Sequence, residues 1–128
     1  LGNLMWCAMA VGSCEAVKDY SIKYANERTA FGEPISHRQS VAFMIADMAI
    51  EIDAMRMLIL NAASLAEAGQ PFHREAYLAR LLCAEKSMKI APDGVQILGG
   101  HGFTKEHPAE RWYRDLRATA VLHSGLHA

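Results

Sequence analysis

The chain has 128 residues, 52% of them hydrophobic and 21% charged, with a net charge of −1. That is enough apolar material for one domain with a real core, and the charge balance gives no electrostatic case for nucleic acid or an anionic membrane as partner. The three cysteines, Cys7, Cys14 and Cys83, are odd in number and form no CxxC pair, so neither a disulfide framework nor a zinc knuckle is implied. A reducing interior compartment fits this usage. The longest apolar run, Leu4 to Val11, falls far short of the ~20 residues that span a bilayer, and it lacks the flanks of a signal peptide.

Glycine and proline cluster at a few places and divide the chain into four segments with helical periodicity. In the first, Cys7, Ala10, Cys14, Val17 and Tyr24 form an apolar stripe. It closes at Arg28, beside the turn "AFGEP", Ala30 to Pro34. Ser36 is the candidate N-cap of the second helix. There the stripe runs through Val41, Met44, Ile45, Met48, Ile52, Met55, Ile59, Ala62 and Leu65. "AGQP" ends it, with Gly69 in the left-handed position after the helix. The third stripe is Tyr77, Leu81, Ala84, Met88, Ala91, Val95 and Leu98. Pro92 lies within it and is expected to kink or locally open the helix. Pro108 is expected in the first turn of the fourth. No segment alternates, so strands are not needed. Four helices with short connections predict an all-α antiparallel four-helix bundle. The apolar faces of the second and third helices are wide, which leaves two readings: a monomeric core, or a surface packed on another domain or subunit.

Three stretches carry chemistry. In "GVQILGGHGF", one glycine suffices to cap a helix, but Gly99, Gly100 and Gly102 are all present, with Gln96 just upstream. Bare main chain permits close approach of a ligand, and amides at such a turn favour an anion. A plain cap with a flexible loop is the alternative. Arg28 sits where a guanidinium can take phosphate bidentately or simply complement the helix dipole. Phe31 can offer a flat face or plug the core. In "HPAERWYRDLRATAVLHSG", Arg111, Arg114 and Arg117 recur with Glu110 and Asp115, as on a charged helix face laced with ion pairs. Cys83 and the other cysteines read as small core residues, and His101 and His107 as loop residues. His123 and His127 are four apart, but Gly125 lies between them and no third ligand is evident, so no metal site is expected.

Taken together, these stretches resemble the C-terminal helical domain of the acyl-CoA dehydrogenase flavoprotein family. Arg28, Phe31, Gly32, Pro34, Ile35 and Gln39 match its Arg-x-x-Phe-Gly turn. Gln96, Ile97, Leu98, Gly99, Gly100 and Gly102 match its Gln-Ile-Leu-Gly-Gly-x-Gly run. Glu106, Pro108, Arg114 and Asp115 match the segment leading to an Arg-Asp pair. The resemblance covers essentially the whole chain. It implies that residues 1–128 are one C-terminal bundle domain of a longer FAD protein acting in fatty acid metabolism, in the cytoplasm or the mitochondrial matrix. Self-association into dimers or tetramers follows, with an acyl-CoA substrate and an electron-transfer flavoprotein or other acceptor. Arg28, Phe31, Gln39, Gln96, Ile97, Leu98, Gly99 and Gly100 would then contact the FAD of a neighbouring subunit.

The pattern breaks at the catalytic base. The family's usual glutamate falls on His123 in this register, and the alternative glutamate position falls on Gly2; neither holds a carboxylate. Three readings follow. His123 is the base, since a neutral imidazole with an ordinary pKa of about 6.5 accepts a proton near neutrality. A residue outside this chain is the base. Or the protein does other chemistry, as flavin monooxygenases of this fold do, or none, as a helical assembly module.

Overall fold

A computed structural model describes residues 1–122. The chain folds into four helices: α1 (Gly2–Glu27), α2 (Gln39–Glu67), α3 (His73–Leu98) and α4 (Ala109–Leu122). Two 3₁₀ turns, Ile35–His37 and Gly99–Phe103, precede α2 and follow α3. The helices pack as an all-α bundle in which α1 and α3 form the centre, α2 covers both on one side, and α4 packs mainly on α3.

The central pair holds the fold together. Contacts between α1 and α3 keep a nearly constant sequence separation: Asn3 to Arg80 at 77, Cys14 to Ser87 at 73, Tyr24 to Leu98 at 74. The two helices therefore run parallel and side by side. Their facing residues are small: Cys7, Ala10 and Cys14 on α1, and Ala79, Cys83, Ala84 and Ser87 on α3, all buried. At Gly94 a Cβ would stand 2.5 Å from Val17 Cγ1, so glycine sets the closeness of approach there. From α2, Met48, Ile52 and Met55 are fully enclosed, each contributing about 1.5–3 kcal/mol by leaving water. Half-exposed ion pairs, Arg56–Glu15 at 2.7 Å and Lys86–Glu51 at 3.2 Å, link α2 to α1 and α3.

Several expectations are revised. A short antiparallel hairpin is present: β1 (Thr29–Ala30) pairs with β2 (Glu33–Pro34), with Thr29 opposite Pro34. Four residues leave too little chain for an alternating pattern, which is why periodicity missed it. Ser36 does not cap α2, because it lies inside the 3₁₀ turn; Arg38 takes the cap position with no side-chain bond. Of the two effects expected of Pro92, a local opening of α3 is absent, since the helix continues through it to Leu98. Pro108 stands one residue before α4, and its carbonyl accepts the Trp112 N–H at 3.1 Å. Tyr77 is exposed; Ala76, Ala79 and Cys83 supply the core line instead. As expected, Gly69 has φ 68, and Gln70 N–H bonds Leu65 O at 2.9 Å to close α2.

The cysteines are enclosed and free, as expected. Burial pushes the Cys14 thiol up to about 11, although its bond to Ser87 pulls the other way. The Cys83 thiol, hydrogen-bonded to Cys7 and buried, is also raised. Cys7 is held below its ordinary value, first by the Cys83 contact and also by Arg80. A thiol whose folded pKa is raised stays protonated while the unfolded chain ionises, so Cys14 and Cys83 favour folding fully below pH 9, and Cys14's share is lost between pH 9 and about 11. The expected outcome with a thiol reagent at pH 8 is no rapid reaction of native protein and reaction of all three cysteines once guanidinium unfolds it; a fast native phase would contradict the packing.

Candidate functional site

Because α1 and α3 are parallel, both C-termini reach the same end of the bundle. Arg28 ends α1 there, with its N–H bonded to Tyr24 O at 2.8 Å and its carbonyl accepting Ile35 N–H at 2.9 Å. These two bonds fix its main chain while the exposed guanidinium makes no hydrogen bond or ion pair with the described residues. Gly99 ends α3, at φ 61 and ψ −132, with its N–H bonded to Gln96 O. A positive φ is the reason for glycine at this position.

The arginine and the glycines line one cavity of about 310 Å³, with Tyr24, Ile35, Ile97, Leu98 and His101. No carboxylate lines it, so Arg28 supplies its fixed charge. Two helix C-termini present partial negative charge at this end, so an anion here depends on the guanidinium rather than on a dipole. At Gly99 and Gly100 a Cβ would meet nothing within 4 Å, and both residues are exposed. Their main chain is thus open to a ligand. Gly102 differs: a Cβ there would collide with the Val95 carbonyl, so this glycine lets the 3₁₀ turn lie directly on α3.

The remaining sequence candidates are placed as follows. Ile97 and Leu98 border the cavity but their side chains are buried in the core. Gln96 is exposed on the adjoining side, in a second cavity of about 440 Å³ with Phe103, Tyr113 and Arg114. Gln39 is exposed at the first turn of α2 and lines neither cavity. Phe31 does not plug the core: it is 94% exposed at the hairpin tip, with the Arg38 guanidinium 5.0 Å from its ring centre. Its φ is 55, followed by Gly32 at 84. An aromatic residue with positive φ, held in water, costs folding energy. His123 lies outside the described residues, as does His127. On α4 the expected charged face is present, with Arg114 bonded to Glu110 at 2.8 Å. That contact holds the Glu110 carboxyl below its ordinary range.

Sequence reading missed the rings beneath the glycines. The Tyr24 hydroxyl lies 3.0 Å from His101 Nδ1, and the Tyr20 hydroxyl 2.6 Å from His107 Nδ1. The tyrosines' spacing of four on α1 was a usable signal; their partners, some eighty residues on, were not visible in one sequence.

The family profile described as acyl-CoA dehydrogenase, C-terminal domain, matches residues 2–124. The chain belongs to the acyl-CoA dehydrogenase family. Against the short-chain specific acyl-CoA dehydrogenase, mitochondrial, of Mus musculus it is 39% identical over 121 residues, covering 94% of this chain and 29% of that protein. The caffeyl-CoA reductase-Etf complex subunit CarC of Acetobacterium woodii is 40% identical over 121 residues, again 94% of this chain and 32% of that protein. The solved butyryl-CoA dehydrogenase of Megasphaera elsdenii superposes with a TM-score of 0.91 at 34% identity, covering 94% of this chain and 31% of that one. The chain therefore spans about a third of the length of these acyl-CoA dehydrogenase relatives.

Two outcomes separate the roles of these residues. Gly102→Ala is expected to lower domain stability by about 1–3 kcal/mol in urea denaturation. Gly100→Ala is expected to change stability by less than about 0.5 kcal/mol, because its Cβ enters open space. At the hairpin tip, Phe31→Asn is expected to raise stability by about 1 kcal/mol, since asparagine tolerates positive φ; a lower melting temperature would show that the exposed ring stabilises more than its backbone costs.

Proposed function

We propose that this chain is the C-terminal domain of a longer FAD-dependent enzyme that removes hydrogens from the α and β carbons of an acyl-CoA thioester. Supporting this reading is one observation above the others: Arg28 and the uncovered Gly99–Gly100 main chain, 71 positions apart by number, line a single cavity that holds no acid. A dinucleotide needs that combination, a bidentate cation for its pyrophosphate and a flat backbone for close approach. The open Cβ positions at both glycines fit such a ligand.

When bound, FAD supplies the hydride acceptor of the reaction. In this chain Arg28 would hold the pyrophosphate, Phe31 and Gln39 would frame the dinucleotide, and Gln96 would offer an amide that donates and accepts. Ile97 and Leu98 hold the glycine turn in register through their burial. The bundle would form one wall of the acyl pocket. A domain of this size encloses neither ligand alone, and the family resemblance implies that the FAD it contacts is that of a neighbouring subunit.

The surface of α2 favours such an assembly. Phe43, Ile50 and Met57 recur seven apart, each more than 60% exposed, with Leu60 beside them. An apolar row of this kind on a lone domain points to a partner surface, and self-association as a dimer or tetramer covers it. The Acetobacterium relative is named as part of an Etf complex, which supports an electron-transfer flavoprotein as acceptor here. Mitochondrial naming of the mouse relative supports a mitochondrial matrix location in a eukaryote and a cytoplasmic one otherwise.

The test uses the full-length polypeptide. It is expected to be yellow and to bleach anaerobically with an acyl-CoA; a colourless oligomer would instead favour an assembly module, and flavin that resists bleaching a monooxygenase. Arg28→Gln is expected to weaken FAD binding about ten- to a hundredfold, the loss of a charged hydrogen bond. For the base, His123→Gln is expected to slow bleaching by about 10²–10⁴-fold if the imidazole takes the α-proton, and an unchanged rate assigns that proton to another residue.

A further inference from the structure

The ring cluster beneath the glycine turn is built, not incidental. Tyr20 and Tyr24 stand one turn apart on α1, and Arg28 follows one turn later on the same side. His101 and His107 come from the segment after α3, with ring centres 5.4 Å apart. Each histidine meets a tyrosine hydroxyl through Nδ1. Tyr24 packs edge-on against both imidazoles, at 6.4 and 5.7 Å between ring centres. Tyr20 does the same against His107 and against Trp112 of α4, at 5.9 and 5.7 Å. All four rings are half-buried.

The placement has a consequence for the turn above. His101 immediately follows Gly100, and its carbonyl is tied down by the Thr104 hydroxyl at 3.0 Å and the Thr104 N–H at 3.3 Å. The Tyr24 hydroxyl also lies 3.4 Å from the Leu98 carbonyl, just before Gly99. One side chain of α1 therefore touches both flanks of the Gly99–Gly100 pair. Backbone bonds close the 3₁₀ turn itself, but glycine's wide conformational freedom leaves it little stiffness of its own, and Tyr24 is a side chain that ties both flanks to α1. It stands on the helix that also carries Arg28.

We propose that Tyr24 and His101, backed by Tyr20 and His107, are positioning residues that fix the Gly99–Gly100 main chain relative to Arg28, so that guanidinium and backbone meet one dinucleotide together. The inference rests on the FAD reading above. A gap set wrongly by a fraction of an ångström forces the ligand to choose between the cation and the main chain. Restraint of the turn before binding removes that ordering cost.

The experiment measures FAD affinity of the full-length apoprotein by flavin fluorescence, with thermal melting of the same apoprotein. Tyr24→Phe keeps the ring and removes the hydroxyl; it is expected to weaken FAD binding about 5- to 20-fold while the apoprotein melts within about 2 °C of the parent. His101→Leu is expected to do the same, and His101→Asn, which keeps a polar atom near Nδ1, to restore most of the affinity. The double variant Tyr24→Phe, His101→Leu is expected to lose no more than Tyr24→Phe alone, because the hydroxyl makes the contacts to both His101 and Leu98 and His101→Leu breaks only the first. Additive losses, or unchanged affinity in both single variants while Arg28→Gln still weakens binding, overturn the positioning role and leave the FAD reading standing. Unchanged affinity in Arg28→Gln as well overturns both. Should Tyr24→Phe fail to fold, the comparison of His101→Leu with His101→Asn decides: equal losses in the two overturn the proposal.

Discussion

The parallel contact between α1 and α3 is the constraint on which everything else depends. Small residues at Cys7, Ala10, Cys14, Cys83, Ala84, Ser87 and Gly94 let the two helices lie close along most of their length. Close approach of two helices fixes their relative slide as well as their distance, since each side chain seats in one gap of the partner. Asn3 beside Arg80 at one end and Tyr24 beside Leu98 at the other are the two ends of that register. Once it is set, the positions of the residues that follow each helix are set too. Arg28 and Gly99 come together for that reason, although nothing local in either segment directs it.

A site made from helix C-termini carries an electrostatic disadvantage for an anion. Carbonyl ends and partial negative charge gather there, in contrast to the helix N-termini that bind phosphates in many folds. For an anion in this cavity, the Arg28 guanidinium at α1's end would offset the disadvantage, and the glycines leave backbone exposed where side chains would screen it. Phe31 adopts φ 55 and projects almost wholly into water, a conformation that a stability-driven sequence would give to asparagine or glycine.

Much of this was readable from residue order. Helical periodicity located α1 to α3, Gly69 and the glycine run from Gly99 marked the ends of α2 and α3, and the cysteines read correctly as core. The Arg28 turn and the glycine run were recognised as a unit through the family resemblance, and the family match bears that resemblance out. Misses have physical causes. Two-residue strands show no alternation, and Ser36 has the right chemistry for a cap but lies in a turn whose own hydrogen bonds already close it. Gly102 looked like part of the ligand-facing run, yet its role is steric, against Val95. Tyr20 and Tyr24 found partners 87 and 77 positions away, a separation that no window along a single chain can register.

That separation also governs the order of assembly. As the chain leaves the ribosome, α1 emerges well before its central neighbour; about 75 further residues must follow before α3 can dock beside it. At a synthesis rate of ~5–20 residues per second, α1 waits roughly 4 to 15 s with Cys7, Ala10, Cys14 and Val17 uncovered. During this interval α2 is the one neighbour from within the bundle at hand, and its two apolar sides offer more than one way to lie on α1. The native slide of the bundle is therefore selected late, and the half-made domain is the state in which a holding chaperone has most to shield.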